Sequence, residues 1–205
     1  MDEPDMDIEP LVKAGALPLL LLSDVFHFPG CELPLRVSEE VRSTIIQNGM
    51  DNERRLAVGC TTEAGALFPV ITAAMIKSAR GFGDGFFEVK LRGIQRMRMV
   101  GMNQLKPFPI LRVEPIPYNS VTPRKFEKWH EHLCLYLESR ITGWKDSFSQ
   151  MADWVRRMED PALICDIVGS QLVRDRGALR LLLAEESTEK RMTLLLETLA
   201  DVEAE

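Results

Sequence analysis

The sequence predicts an α+β fold, in which a twisted β-barrel or sheet half is followed by an α-helical bundle half. Three observations predict it. Short segments rich in Leu, Ile and Val, punctuated by Gly and Pro, fill the chain to about residue 120. Beyond Pro115-Ile116-Pro117-Tyr118, glycine and β-branched residues thin out and apolar residues recur about every 3.6 positions. At 205 residues, 45% hydrophobic and 27% charged, the chain can bury one good core and a smaller second one.

Residues 17–22 and 31–37 read as apolar strands connected through Phe28-Pro29-Gly30, where proline sets one backbone angle and glycine permits positive φ. Ser38 before Glu39 and Glu40, with Val41, Ile45 and Ile46 at helical spacing, predicts a short helix capped at Asn48-Gly49. Arg55 to Cys60 and Ala66 to Ser78 read as further strands, the second dense in β-branched residues around Val70-Ile71-Thr72. Asp84-Gly85 is a hairpin signal, and Phe86 to Leu91, Met97 to Met102 and Pro109 to Ile116 complete six or seven strands. Thr122-Pro123 opens the helical half with a cap and a first-turn proline. Apolar stripes then follow at Phe126, Trp129, Leu133 and Leu137, at Phe148 to Met158, and after Asp160-Pro161 at Leu163, Ile167 and Leu172. A short helix around Leu179 to Leu183 and a last one from Met192 to Val202 make four or five in all. The expected divisions are an acidic disordered tail over 1–16, a β subdomain over 17–120 and a helical subdomain over 121–205.

The net charge of −6 is uneven, because Asp2, Glu3, Asp5, Asp7 and Glu9 lie in the first nine residues; removing these five from −6 leaves −1. The remainder has no large field to steer an anionic partner. The longest apolar run, Ala16 to Leu22, is far below the roughly 20 residues of a membrane span, and acids rather than bases precede it, so a cytoplasmic location without membrane contact is expected. Cys31, Cys60, Cys134 and Cys165 are irregularly spaced without a C-x-x-C, and read as buried free thiols rather than a zinc site or a disulfide framework.

Two segments carry a family resemblance. Leu17-Pro18-Leu19 followed by Phe28-Pro29-Gly30 and Leu33-Pro34-Leu35-Arg36-Val37, and Gly93-Ile94-Gln95-Arg96 about sixty residues on, resemble the amino-terminal substrate-binding domain of the ATP-dependent Lon proteases. The helical half agrees, through Asp160-Pro161 with its stripe, Leu181-Leu182-Leu183-Ala184-Glu185 and Glu189-Lys190-Arg191-Met192. The resemblance covers about residues 17 to 202 and implies a PUA-like β half and a helical half in that order. It also implies a non-catalytic module that binds unfolded or exposed apolar polypeptide segments and feeds a protease or chaperone in trans. One departure is visible, since the family often has a glycine near where this chain carries Ile71-Thr72.

The chain contains neither the Gly-x-x-x-x-Gly-Lys-Ser/Thr loop that cradles phosphates nor a Gly-x-Ser-x-Gly elbow, so no catalytic residue, cofactor or metal ligand is assigned. His27, between Phe26 and Phe28, reads as a turn or core residue rather than a general base. His130 and His132, two apart on a helix, diverge by about 200° and cannot share a metal. Glu39-Glu40, Glu159-Asp160 and Glu185-Glu186 fall at predicted helix ends, where solvation or the helix dipole accounts for them.

Four residues remain as binding candidates. Phe82, flanked by glycines at the predicted hairpin tip, and Trp144, between helices, read equally as polypeptide contacts or as side chains folded back on the protein. Between Val89 and Val113 lie Lys90, Arg92, Arg96, Arg98, Lys106 and Arg112 without an acid. Arg96 and Arg98 share one face of an extended strand and Met97 and Met99 the other. This strip reads as a solvated outer face over a methionine-lined core, or as an anion- or RNA-binding surface; nucleic acid is disfavoured because no aromatic residues for base stacking are interleaved.

Overall fold

The computed structural model describes residues 14–38, 40–51, 53–61, 65–81, 86–141 and 147–201. The acidic start up to residue 13, the Asp84-Gly85 tip, Phe82 and Trp144 lie outside the described residues. The chain divides into two compact units, Met1–Ile116 and Pro117–Glu205.

The first unit holds β1 (Gly15–Leu22), β2 (Glu32–Val37), α1 (Glu40–Asp51), β3 (Arg55–Cys60), β4 (Val70–Gly81), β5 (Phe87–Gln104) and β6 (Ile110–Pro115). They form one mixed six-stranded sheet in the order β2-β5-β4-β3-β1-β6, with β6 also pairing β5. The pairings therefore run in a circuit that returns to β5. β1 is parallel to β3 and antiparallel to β6. β1 and β2 are consecutive in sequence and do not pair: β2 lies antiparallel on β5, from Glu32 opposite Arg92 to Val37 opposite Phe87. As an edge strand β2 tolerates Pro34, which has no N–H to give a second neighbour.

Alternation along the strands feeds two apolar clusters. Leu17 and Leu19 of β1 join Ala57, Ile71, Ala73, Met97, Leu111 and Val113, a cluster to which all five strands of the circuit contribute. Leu20 and Leu22 turn to the other cluster, with Leu56, Val58, Ile76, Leu91 and the α1 residues Ile45 and Ile46. The period-2 geometry of strands explains how one strand serves both.

Three boundaries differ from the sequence reading. The segments 86–91 and 97–102 are one strand of 18 residues, β5. Its partners jump from Ala73 opposite Gln95 to Ala74 opposite Gly93, leaving Ile94 as an extra, bulged residue. A bulge bends a strand without ending it, whereas Gly93 set among Arg92, Gln95 and Arg96 reads in sequence as a break. Second, α1 continues through Asn48-Gly49 to Asp51. Gly49 is a packing glycine, since an added Cβ would stand 2.9 Å from the Ile76 Cδ1. Reversal falls instead to Glu53 and Arg54, at φ 52° and 59°, where the Arg54 guanidinium donates to the carbonyls of Ile76 (2.9 Å) and Lys77 (2.7 Å). Third, β4 begins at Val70 rather than Ala66 and runs on to Gly81.

The second unit contains α2 (Pro123–Ser139), α3 (Ser147–Arg157), α4 (Pro161–Leu172), α5 (Arg176–Ala184) and α6 (Thr188–Asp201). α2 and α4 each start with proline, whose missing N–H is harmless at that position. Asp160 caps α4 by accepting from the amides of Ala162 (2.9 Å) and Leu163 (3.2 Å), and Asp175 caps α5 by accepting from Ala178 (2.7 Å). Leu133, Leu137, Val155, Ile164, Val168, Leu182 and Leu195 are among the buried side chains.

Candidate functional site

The two signature segments meet. Gly30 donates its amide to the Gly93 carbonyl at 2.9 Å, and Gly93 donates to the Cys31 carbonyl at 3.0 Å. Gly30 adopts φ 75°, which glycine reaches without strain. At Gly93 the constraint is contact: an added Cβ would lie 2.2 Å from the Phe28 carbonyl oxygen. The Phe28 ring is fully buried beneath this junction. Thr72 lies close to the same loop and donates its hydroxyl to the His27 carbonyl at 2.5 Å. A side-chain bond thus occupies the place where a glycine was to be expected.

His27 is 5% exposed, and burial lowers its pKa to about 4. It is neutral at pH 7 and part of the interior. His130 places Nε2 2.7 Å from the Val155 carbonyl, a geometry that puts the ring proton on that nitrogen. Among the described residues no group of three or more His, Cys, Asp or Glu side chains could hold a metal ion, and no helix is long and apolar enough to cross a membrane.

The basic strip requires a correction. Met97 is buried and Met99 packs against the same apolar cluster, so the alternation holds. Arg96, however, is 0% exposed and sits opposite Thr72, which is equally buried; it belongs to the interior and not to a solvated face. Arg98 is half-buried. Lys90 is paired with Glu32 at 3.6 Å, and Arg112 donates to the Val100 carbonyl at 3.3 Å, crossing Gly101 where a Cβ would obstruct it. Charge spacing along the sequence does not reveal which of these cations are already engaged.

The helical unit contains an ion pair invisible to the sequence reading. Arg191 and Asp166 are both fully buried and bonded through Nη2 and Oδ1. The Arg191 Nε donates to the Leu182 carbonyl at 2.9 Å, and Nη1 reaches the Ala162 carbonyl at 3.5 Å. One guanidinium of α6 therefore ties α4 and α5. Burial is the strongest single influence and would lower its pKa, but the charge and hydrogen bond of Asp166, with smaller contributions from Cys165 and Tyr118, together outweigh it and the pKa is raised. The signal was Asp166 itself, a carboxylate inside the apolar run Leu163-Ile164-Cys165-Asp166-Ile167-Val168.

Surfaces open to a partner exist on each unit. Near the end of β5 Met102 is 50% exposed, and in the turn to β6 Leu105 is 65% exposed. On the helical unit, a groove of about 700 Å³ is walled by Tyr118, Pro123, Phe126 and Pro161, and another of about 710 Å³ is floored by Leu181, Ala184 and Leu194. These are concave, apolar-walled surfaces of the kind that takes side chains.

The model of the ATP-dependent protease La (LON) substrate-binding domain matches residues 16–201. The chain belongs to this family. Among curated Lon proteases, that of Geobacter metallireducens is 25% identical over 181 residues, covering 83% of this chain and 22% of the relative. The Lon protease of Escherichia coli K12 is 23% identical over 163 residues, covering 76% of this chain and 21% of its own. The chain thus spans about a fifth of the length of the Lon proteases it matches. Two solved structures share the fold. The N-terminal domain of the Mycobacterium avium complex Lon protease superposes with a TM-score of 0.74 at 18% identity, over 91% of this chain and 99% of that one. A Lon N-terminal domain protein from Xanthomonas campestris gives 0.66 at 21% identity, over 89% and 98%. Within the Lon substrate-binding domain fold, the Phe28-Pro29-Gly30 and Gly93 segments have a structural meaning here: they are the two sides of one main-chain junction.

Proposed function

We propose that this chain is a polypeptide-recognition module that binds unfolded or exposed apolar segments without processing them itself, and that captured segments pass to a protease or chaperone in trans. The observation that supports this reading is the match to a substrate-binding domain along residues 16–201. Apolar side chains left in solvent at Met102, Leu105 and Leu181 supply contacts of the required kind. Phe82 and Trp144 are further candidates, proposed from sequence alone.

The test is fluorescence anisotropy of a labelled, permanently unfolded polypeptide titrated with the protein at low and high salt, beside a folded control. The unfolded chain alone should bind, with little change in salt, and the substitutions Met102→Ser, Leu105→Ser, Phe82→Ala and Trp144→Ala should weaken it. Equal binding of the folded control, absence of binding, or robust ATPase or peptidase activity of the pure chain would overturn the proposal. Capture of a single-stranded nucleic acid that falls steeply with salt and disappears in Arg98→Ala would favour the basic strand instead.

A further inference from the structure

The two grooves of the helical unit share Asn119 in their linings, which makes them neighbours on this unit. Their charges are one-sided. Glu127, Glu159 and Asp160 line one groove and Glu185 and Glu186 the other, against the single cation Lys190. Glu127 and Glu159 are exposed and make no ion pair among the described residues. The walls between these carboxylates are aromatic and aliphatic, with Tyr118 at 38% and Leu181 at 57% exposure. Thr188, 1% exposed, lines the first groove, and its hydroxyl has no hydrogen-bond partner among the described residues. An unsatisfied hydroxyl under an aromatic wall with carboxylates at the rim suits an incoming N–H donor. It also suits a cation resting on the ring faces.

Resting on the recognition role proposed above, we infer that this surface selects the polypeptide: it takes extended segments in which Lys or Arg side chains alternate with apolar ones. Glu127 and Glu159 receive the cations while Tyr118, Phe126 and Leu181 cover the apolar side chains. An acidic segment of equal hydrophobicity is repelled by the same rim, so specificity comes from rejection as well as attraction.

The test uses three fluorescein-labelled unfolded peptides of one length and one apolar content, with Lys, Ser or Glu at the polar positions, titrated against the full chain. The Lys peptide should bind roughly 5-fold more tightly than the Ser peptide, the sum of two exposed charge contacts. The Glu peptide should bind more weakly than both. The preference should shrink at high salt, where the affinity for the Ser peptide stays nearly constant. In the double variant Glu127→Gln, Glu159→Gln the Lys and Ser peptides should become equivalent, with an unchanged unfolding midpoint because both residues are exposed. Equal affinities for Lys and Ser peptides in the unaltered protein, or a preference that survives the double substitution, would overturn this inference while leaving the recognition role in place. Absence of binding by all three would overturn both.

Discussion

The two units solve the same problem, joining segments far apart in sequence, by different chemistry. In the β unit the join is main chain to main chain: the loop at Phe28-Pro29-Gly30 and strand β5 exchange amide–carbonyl bonds at Gly30, Gly93 and Cys31. In the helical unit the ties start from side chains, Arg191 reaching the Leu182 carbonyl and the Asp166 carboxylate, Trp129 the Met192 carbonyl (2.7 Å) and Tyr136 the Leu199 carbonyl (3.1 Å). The reason lies in backbone accounting. A helix consumes its own amides and carbonyls except at its ends, so a neighbour is reached by a side chain, often at an orphan carbonyl of the last turn, as Leu182 and Leu199 are. A strand or loop still has backbone groups to share, and at this junction the approach is so close that only a residue without a Cβ fits at Gly93. The β unit is therefore sensitive to added atoms and the helical unit to lost ones.

This contrast can be broken in order of expected effect. Gly93→Ala should cost at least about 4 kcal/mol, the exceptional range for one substitution, since the intruding Cβ meets main-chain oxygen that no rotamer change can move. Urea unfolding followed by the signal of the β unit reads it, and a loss below 1 kcal/mol would refute the role given to the close approach. Asp166→Ala should cost about 4 kcal/mol by stranding the buried Arg191 charge. The double substitution Asp166→Leu, Arg191→Met should recover most of that loss, because the pair as a whole contributes little beyond a well-packed apolar replacement.

Acid sharpens the comparison from the β side. The pKa of His27 is about 4 in the folded protein against an ordinary 6.5, so the unfolded chain binds its proton first as the pH falls. The neutral-His contribution is complete above pH 6.5 and is lost between 6.5 and about 4, amounting to about 3 kcal/mol at most. His27→Gln should flatten that part of the stability profile; an unchanged slope would assign it to other groups. The smallest effect belongs to the helical unit. Asp160→Ala removes the cap of α4 and should cost about 1 kcal/mol, read as a shift in the thermal midpoint.

The existence and type of the elements were legible in the sequence because they follow from local rules. Period-2 and period-3.6 patterns, Thr122-Pro123, Asp160-Pro161 and the turn at Phe28-Pro29-Gly30 act within a few residues of themselves. The β5 bulge at Ile94 was not legible, since a bulge exists only relative to the partner strand, and Gly93 set among Arg92, Gln95 and Arg96 looks like an interruption. The candidate surface was read in part. Lys90, Arg96 and Arg112 formed a strip on paper, but tertiary structure buried one, paired another with Glu32 and laid the third across Gly101. The acids Glu127, Glu159 and Glu186, each explicable as a helix-end or exposed charge on its own, line neighbouring grooves only once α2, α4 and α6 are packed.

The sequence by itself determined the α+β class, the order of the two kinds of structure and the family, because hydrophobic period, turn chemistry and motif order are properties of consecutive residues. Tertiary structure alone decided that Gly93 faces the Phe28 carbonyl, that Arg191 finds Asp166 and that β1 and β2 part to different neighbours. Those outcomes depend on which distant backbone or charge arrives at a given point in space, and a chain read residue by residue holds no record of arrival.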